Sequence, residues 1–121
     1  MKKNKLMMKI IHLPQKYRNI PTKSIYTLLK ETGYFEAYDQ ITEEDILNVL
    51  VQYPAVINDW ISWSADKRCS PSWYFLENEQ GKYIVGYFSH RENEKQKIEY
   101  SDIKTACAAF IKREIESIRL P

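Results

Sequence analysis

The sequence predicts an α+β fold: an antiparallel sheet of three or more strands, packed with N-terminal helices and one long C-terminal helix. Three observations carry this. Two aromatic and β-branched runs, Trp73–Leu76 and Tyr83–Phe88, flank the polar patch Glu77–Lys82, which holds the one glycine between them, Gly81. That pattern reads as a β-hairpin over 73–88 with a longer loop. Helical spacing of apolar residues precedes the hairpin, and a 3.6-residue stripe follows it. The chain has 121 residues, which fits a single domain, 1–121, with residues 1–5 as a frayed tail. A chain of this length buries roughly two thirds of its unfolded surface without a disulfide or metal.

The elements can be justified in order. Leu6–Leu13 (LMMKIIHL) is compatible with a strand, and Pro14 and Pro21 bracket a basic connector. Thr22 can cap a helix carrying Ile25, Leu28 and Leu29, which stops near Gly33. Tyr34–Ile41 alternates irregularly and reads as a loop. Thr42 and Asp45 approximate a capping box for a helix with Ile46, Leu47, Leu50 and Val51 facing inward. Pro54 suits the first position of the next helix, Pro54–Trp63, with Val56, Ile57, Trp60 and Ile61 on one face.

Ser62–Ser72 reads as a loop that contains Cys69, and Ser89–Gln96 as a charged connection. Lys97–Tyr100 alternates as a third strand. Ser101 is the candidate cap of the final helix, Asp102–Ile118, with Ile103, Ala106, Cys107, Phe110, Ile111, Ile115 and Ile118 in its stripe. Both hairpin strands are apolar on both faces. Helices on either side in sequence predict that both faces are covered, the alternative being one exposed aromatic face.

Charge is segregated along the chain. Residues 1–30 carry eight cations and no acid, residues 31–66 carry eight acids and no cation, and the rest is mixed. The net charge of +2 hides this. An acidic block interleaved with Tyr34, Tyr38, Tyr53, Trp60 and Trp63 suits a basic protein partner, because opposite charge speeds encounter and aromatics anchor it.

Other classes find less support. The two histidines, His12 and His90, fall in no hydrolase or metalloprotease motif. The three glycines are isolated, which excludes a Rossmann fingerprint or a phosphate loop. Glu43, Glu44 and Asp45 are successive helical positions and point apart, so they fit a dipole-matched first turn better than a metal site. Cys69 and Cys107 form no CxxC pair. No metal, cofactor or small-molecule substrate is implied. The basic first thirty residues lack a nucleic-acid-binding signature. Neither a signal peptide nor a membrane-spanning run is expected, which makes the cytoplasm the default compartment.

Four stretches carry a resemblance: Trp63-Ser64-Ala65-Asp66-Lys67-Arg68, Ser70-Pro71-Ser72-Trp73-Tyr74-Phe75, Gly81-Lys82-Tyr83-Ile84-Val85-Gly86-Tyr87-Phe88 and Ala106-Cys107-Ala108-Ala109-Phe110-Ile111-Lys112. Over residues 60–118 the chain resembles small bacterial immunity proteins, including those of contact-dependent growth inhibition systems. The likeness is of style, Tyr/Lys/Ile-rich and without a catalytic motif, and it transfers no residue. It implies a non-enzymatic protein that neutralises a cognate toxin, often a nuclease, by stoichiometric binding.

Charge and aromatics then nominate the contact residues: the acids Asp39, Glu43, Glu44, Asp45, Asp59 and Asp66, with Trp63 and Tyr38 as anchors. The junction from Trp63 to Ser72 is the expected centre of that surface. The alternatives are a protein-interaction domain of another kind, a small enzyme using His12 or His90 as a base, and a nucleic-acid binder using the basic N-terminal segment.

Overall fold

The computed structural model describes residues 2–66, 72–88 and 96–120. Six helices come first: α1 (Lys2–Ile11), α2 (Leu13–Asn19), α3 (Ile25–Glu31), α4 (Tyr34–Ala37), α5 (Glu43–Gln52) and α6 (Val56–Asp66). A 3-10 turn, Tyr38–Gln40, links α4 to α5. Strands β1 (Ser72–Glu77), β2 (Tyr83–Phe88) and β3 (Gln96–Tyr100) follow, and α7 (Ile103–Arg119) is the last element. The α+β class, the hairpin, the third strand and the C-terminal helix are as the sequence predicts. No helix among the described residues is long and apolar enough to cross a membrane.

The sheet is antiparallel in the order β1-β2-β3. Trp73 sits opposite Tyr87 and Phe75 opposite Val85, and Val85 also faces Ile98. Asn78 builds the hairpin loop. Its Oδ1 accepts from the backbone N–H of Gln80 and of Lys82, at 3.0 and 2.9 Å. Gly81 holds a φ of 77°, a left-handed conformation that costs glycine little. The outer edge of β1 is closed by α6, where Ser64 Oγ accepts from Phe75 N–H at 2.8 Å.

The core is organised around α7, which packs against all three strands and against α3, α5 and α6. Every residue from Ala106 to Ile111 is therefore buried, including Ala108 and Ala109, which lie outside the predicted stripe. Their small side chains let neighbours approach closely. Phe110 joins the layers, stacking on Phe75 at 5.7 Å between centroids and meeting Trp60 edge-on at 6.2 Å.

Several local expectations are corrected. The strand reading of Leu6–Leu13 fails: the segment is helical, and Met7, Ile10 and Ile11 fall on one buried face. Their i, i+3, i+4 spacing is the helical one, whereas a half-buried strand needs alternation that this run lacks. Tyr34–Ile41 is not a loop but α4 and the 3-10 turn, pinned at both ends by buried Tyr34 and Ile41. Gly33, with a φ of 93°, makes the break after α3.

Two caps shift by one or two residues. Ser24, rather than Thr22, accepts from the backbone at the start of α3, and Asp102, rather than Ser101, does so for α7. The capping box of Thr42 and Asp45 is present in full, with bonds of 3.1 and 2.9 Å. In α5 the buried set is Ile46, Val49 and Leu50, while Val51 is 57% exposed because it falls outside that arc. Helix α6 starts at Val56 rather than Pro54 and continues through Ser62–Asp66, which was expected to be loop. Residues 67–71 of that expected loop, with Cys69, and residues 89–95 of the connection holding His90 lie outside the described residues, while Ser72 and Gln96, expected in those connections, begin β1 and β3.

Candidate interaction surfaces

The acidic block and the basic N-terminal segment fold onto one another. Asp59, on α6, accepts from Gln15 Nε2 at 2.7 Å and pairs with Arg18 Nη2 at 3.1 Å. Asp45 pairs with Lys3 at 3.0 Å while capping α5. The Thr42 backbone N–H is the main cause that holds its carboxyl below the usual aspartate range, with Lys3 adding to it. Glu31 pairs with Lys23 at 2.8 Å. Three ion pairs thus join residues 1–30 to residues 31–66, so much of the charge that nominated these acids is met within the chain.

The other nominated residues divide into groups. Glu43 pairs with Arg113 on α7, and Arg113 also lies over the Trp73 ring at 5.4 Å. Tyr38 is 39% exposed, with the Arg119 guanidinium 3.6 Å above its ring. Asp39 and Glu43 both act on the charge of Lys112. Tyr38, Asp39 and Glu43 therefore come together along α7. Asp39, Glu44 and Asp66 are exposed and form no ion pair among the described residues. Asp59 and Trp63 share α6, away from the Tyr38 group. The junction after Asp66 lies outside the described residues.

Trp63 is braced rather than presented. Its Nε1 donates to Glu114 Oε2 at 2.7 Å, and its ring meets Tyr17 edge-on at 5.3 Å. Glu114 is only 3% exposed, a buried carboxylate that sequence reading missed. The available signal was its position, one residue before Ile115 in a stripe already read as core.

A second, partly buried polar network sits beneath the Tyr38 group. Tyr34 donates its hydroxyl proton to Glu116 Oε2 and accepts from Lys112 Nζ at 2.8 Å. Lys112 also donates to the Tyr38 carbonyl at 2.9 Å, and Arg119 grips Glu116 with bonds of 2.9 and 3.0 Å. Burial, with the Glu116 carboxylate beside it, drives the Tyr34 phenol well above the ordinary tyrosine range. Burial likewise lowers Lys112, and the Arg119 hydrogen bond lowers Glu116. Donors and acceptors are matched, so the network clamps α4 and its turn onto α7.

Among the described residues, the two sheet faces differ in what packs on them. Helix α7 covers the face bearing Phe75 and Val85, which belong to the core cluster. The opposite face carries Tyr74, Leu76, Ile84, Gly86 and Phe88, with Lys97 and Glu99 on β3. Leu76 and Phe88 are 45% and 48% exposed, and Ile84 is buried yet stands outside the core cluster. Tyr74 shields the backbone there: a side-chain carbon on Gly86 would overlap its ring and lie 2.8 Å from the Gln96 carbonyl. A shallow depression of about 220 Å³ opens beside it, lined by Tyr74, Tyr87, Phe88, Gln96 and Lys97. An antiparallel sheet with one face on the core normally puts polar side chains on the other. This one puts four large apolar or aromatic side chains there. The sequence signal was the apolar second face of both hairpin strands.

Among the described residues there is no group of three or more His, Cys, Asp or Glu side chains able to hold a metal ion. Cys107 is buried, and burial raises its thiol far above the ordinary cysteine range. No protein-family model, curated protein or solved structure matches this chain.

Proposed function

We propose that this chain is a non-catalytic binding protein of the immunity type, which neutralises a toxin domain by stoichiometric association in the cytoplasm. The observation that carries the reading is the outer face of the sheet. Tyr74, Leu76, Ile84 and Phe88 form an apolar strip on the sheet face opposite α7, with Leu76 and Phe88 45% and 48% exposed. Contiguous apolar surface rimmed by polar groups marks protein-binding sites, and rigid strands hold its side chains in place before the partner arrives. Lys97 and Glu99 supply the polar border.

The acids keep a role in steering. Asp39, Glu44 and Asp66 form no internal ion pair among the described residues, so their field reaches solvent and favours a basic partner such as a nuclease domain. Asp45 and Asp59 serve the fold first. This moves the contact surface from the acidic helices toward the sheet, with charge acting mainly on the rate of encounter.

The test is protection. The chain is co-expressed with any toxin-like domain that the neighbouring reading frame encodes, and growth is followed. Wild type should protect, and Leu76→Glu with Phe88→Glu should abolish protection while the fold, checked by circular dichroism, is kept. Full protection by that double variant would reject the sheet face. Absence of protection by a well-folded wild type would reject the immunity reading.

A further inference from the structure

The free edge of β3 fits a second copy of this chain. Of the two sheet edges, that of β1 is closed by α6 through Ser64, so the edge of β3 is the one left open among the described residues. The register shows which backbone groups face outward there. Phe75 N–H points away from β2, toward Ser64, so Phe75 and Val85 are a non-hydrogen-bonded pair. Bonding alternates along an antiparallel ladder. Val85 therefore bonds across to Ile98, and the N–H and C=O of Lys97 and Glu99 point outward from the sheet.

We infer that two chains pair antiparallel through β3, with Ile98 on the two-fold axis. In that register Lys97 lies opposite the partner's Glu99, and the symmetry repeats the pair. These are the residues with outward backbone groups, so each pair exchanges two N–H···O bonds and four form in all. The side chains agree with the backbone. Lys97 and Glu99 are both exposed, on the outer face, and neither is in an ion pair among the described residues. Opposite charges meet directly across the strands, which favours the pairing. Sliding by two residues either way sets Lys97 against the partner's Lys97 or Glu99 against the partner's Glu99, which disfavours it.

The assembly is isologous and closed: a six-stranded sheet with a β1 at each end, both edges covered by α6. The apolar strips of the two outer faces then lie on one continuous sheet.

The test is charge exchange in the full chain, read by sedimentation velocity over a concentration series. Wild type should dimerise. Lys97→Glu alone and Glu99→Lys alone should each weaken the dimer by about tenfold or more, because symmetry counts each change twice. The double variant Lys97→Glu with Glu99→Lys restores opposite charges and should restore the dimer. A wild type that stays monomeric, or single variants that dimerise as well as wild type, would overturn the pairing.

A second variant tests the axis. Ile98→Cys, in a chain with Cys69→Ser, should oxidise to a covalent dimer. Non-hydrogen-bonded partners sit about 4.5 Å apart at Cα, within disulfide reach. Cys107, being buried, does not compete. Failure to cross-link would contradict the axis, whatever the oligomeric state.

Discussion

Arg18 on α2 and Asp59 on α6 are 3.1 Å apart across 41 positions of sequence, and Gln15 holds the other carboxylate oxygen. The pair ties a cation of the basic first quarter to an acid of the central block. A charge pattern that suggests an external partner when read linearly is here partly an internal contact.

The cost of breaking that contact is small and calculable in sign. Arg18 is largely exposed, so solvent screening keeps the pair within about 0.2–1 kcal/mol. Asp59→Asn should lower stability by less than about 1 kcal/mol in urea titration. Asp59→Lys should cost more, since it places two cations together, and added salt should narrow the gap between the variants. Equal stability of the Asn and Lys variants at low salt would show the pair to be idle.

Trp63 and Glu114 should behave differently, because their contact is partly buried and Glu114 itself is buried. Trp63→Phe keeps most of the ring packing but removes the indole N–H given to Glu114. A hydrogen bond to a charged group contributes about 1.5–3 kcal/mol, and the loss should fall in that range. Glu114→Gln should cost less in the Trp63→Phe background than in the wild type, because the two changes remove one shared bond. Equal cost in both backgrounds would assign the Trp63→Phe loss to packing alone.

Gly86 is required by Tyr74. A methyl group there overlaps the Tyr74 ring and sits 2.8 Å from a backbone carbonyl oxygen on β3. Gly86→Ala should destabilise by about 1–3 kcal/mol. Adding Tyr74→Ala should not restore stability, because the Gln96 carbonyl still blocks the site. Recovery to wild-type stability in the double variant would place the whole constraint on the ring.

Acid should unfold the protein through a defined set of carboxylates. Asp45, Asp102 and Glu116 are each held below their ordinary ranges: Asp45 by the Thr42 backbone N–H, Asp102 by the Thr105 backbone N–H, and Glu116 by the Arg119 hydrogen bond. A folded-state value below the unfolded one means that the unfolded chain binds more protons as pH falls. The stability these groups supply is complete above about pH 4–5 and is lost as pH drops through their folded values. Thermal melts below pH 5 should show this slope. Asp45→Asn should flatten it, and an unchanged slope would remove Asp45 from the set.

Legibility in the sequence followed locality. The hairpin, the Thr42–Asp45 box and the stripe of α7 depend on neighbours in the chain, and each could be read from a few residues. Leu6–Leu13 could not be read as cleanly. Its helical face is apolar enough to pass for a strand until α5 and α2 are seen packing beside it. The candidate site was less legible still. The acids of Asp45 and Asp59 are half answered by Lys3 and Arg18, pairings that need the tertiary fold. The outer sheet face was visible as apolar alternation in Tyr74, Leu76, Ile84 and Phe88. What sequence could not tell is that α7 packs on the face of Phe75 and Val85.

The central claim is that the outer sheet face binds a toxin domain and that the paired acids do not. The direct measurement is calorimetric titration of the purified toxin domain with wild type, with Phe88→Ser and with Asp59→Asn. The account predicts one-to-one binding. It predicts a loss of about 2 kcal/mol or more for Phe88→Ser, as for a buried aromatic anchor, and little change for Asp59→Asn. Unchanged affinity for Phe88→Ser together with a large loss for Asp59→Asn would contradict it, returning the contact surface to the acidic helices.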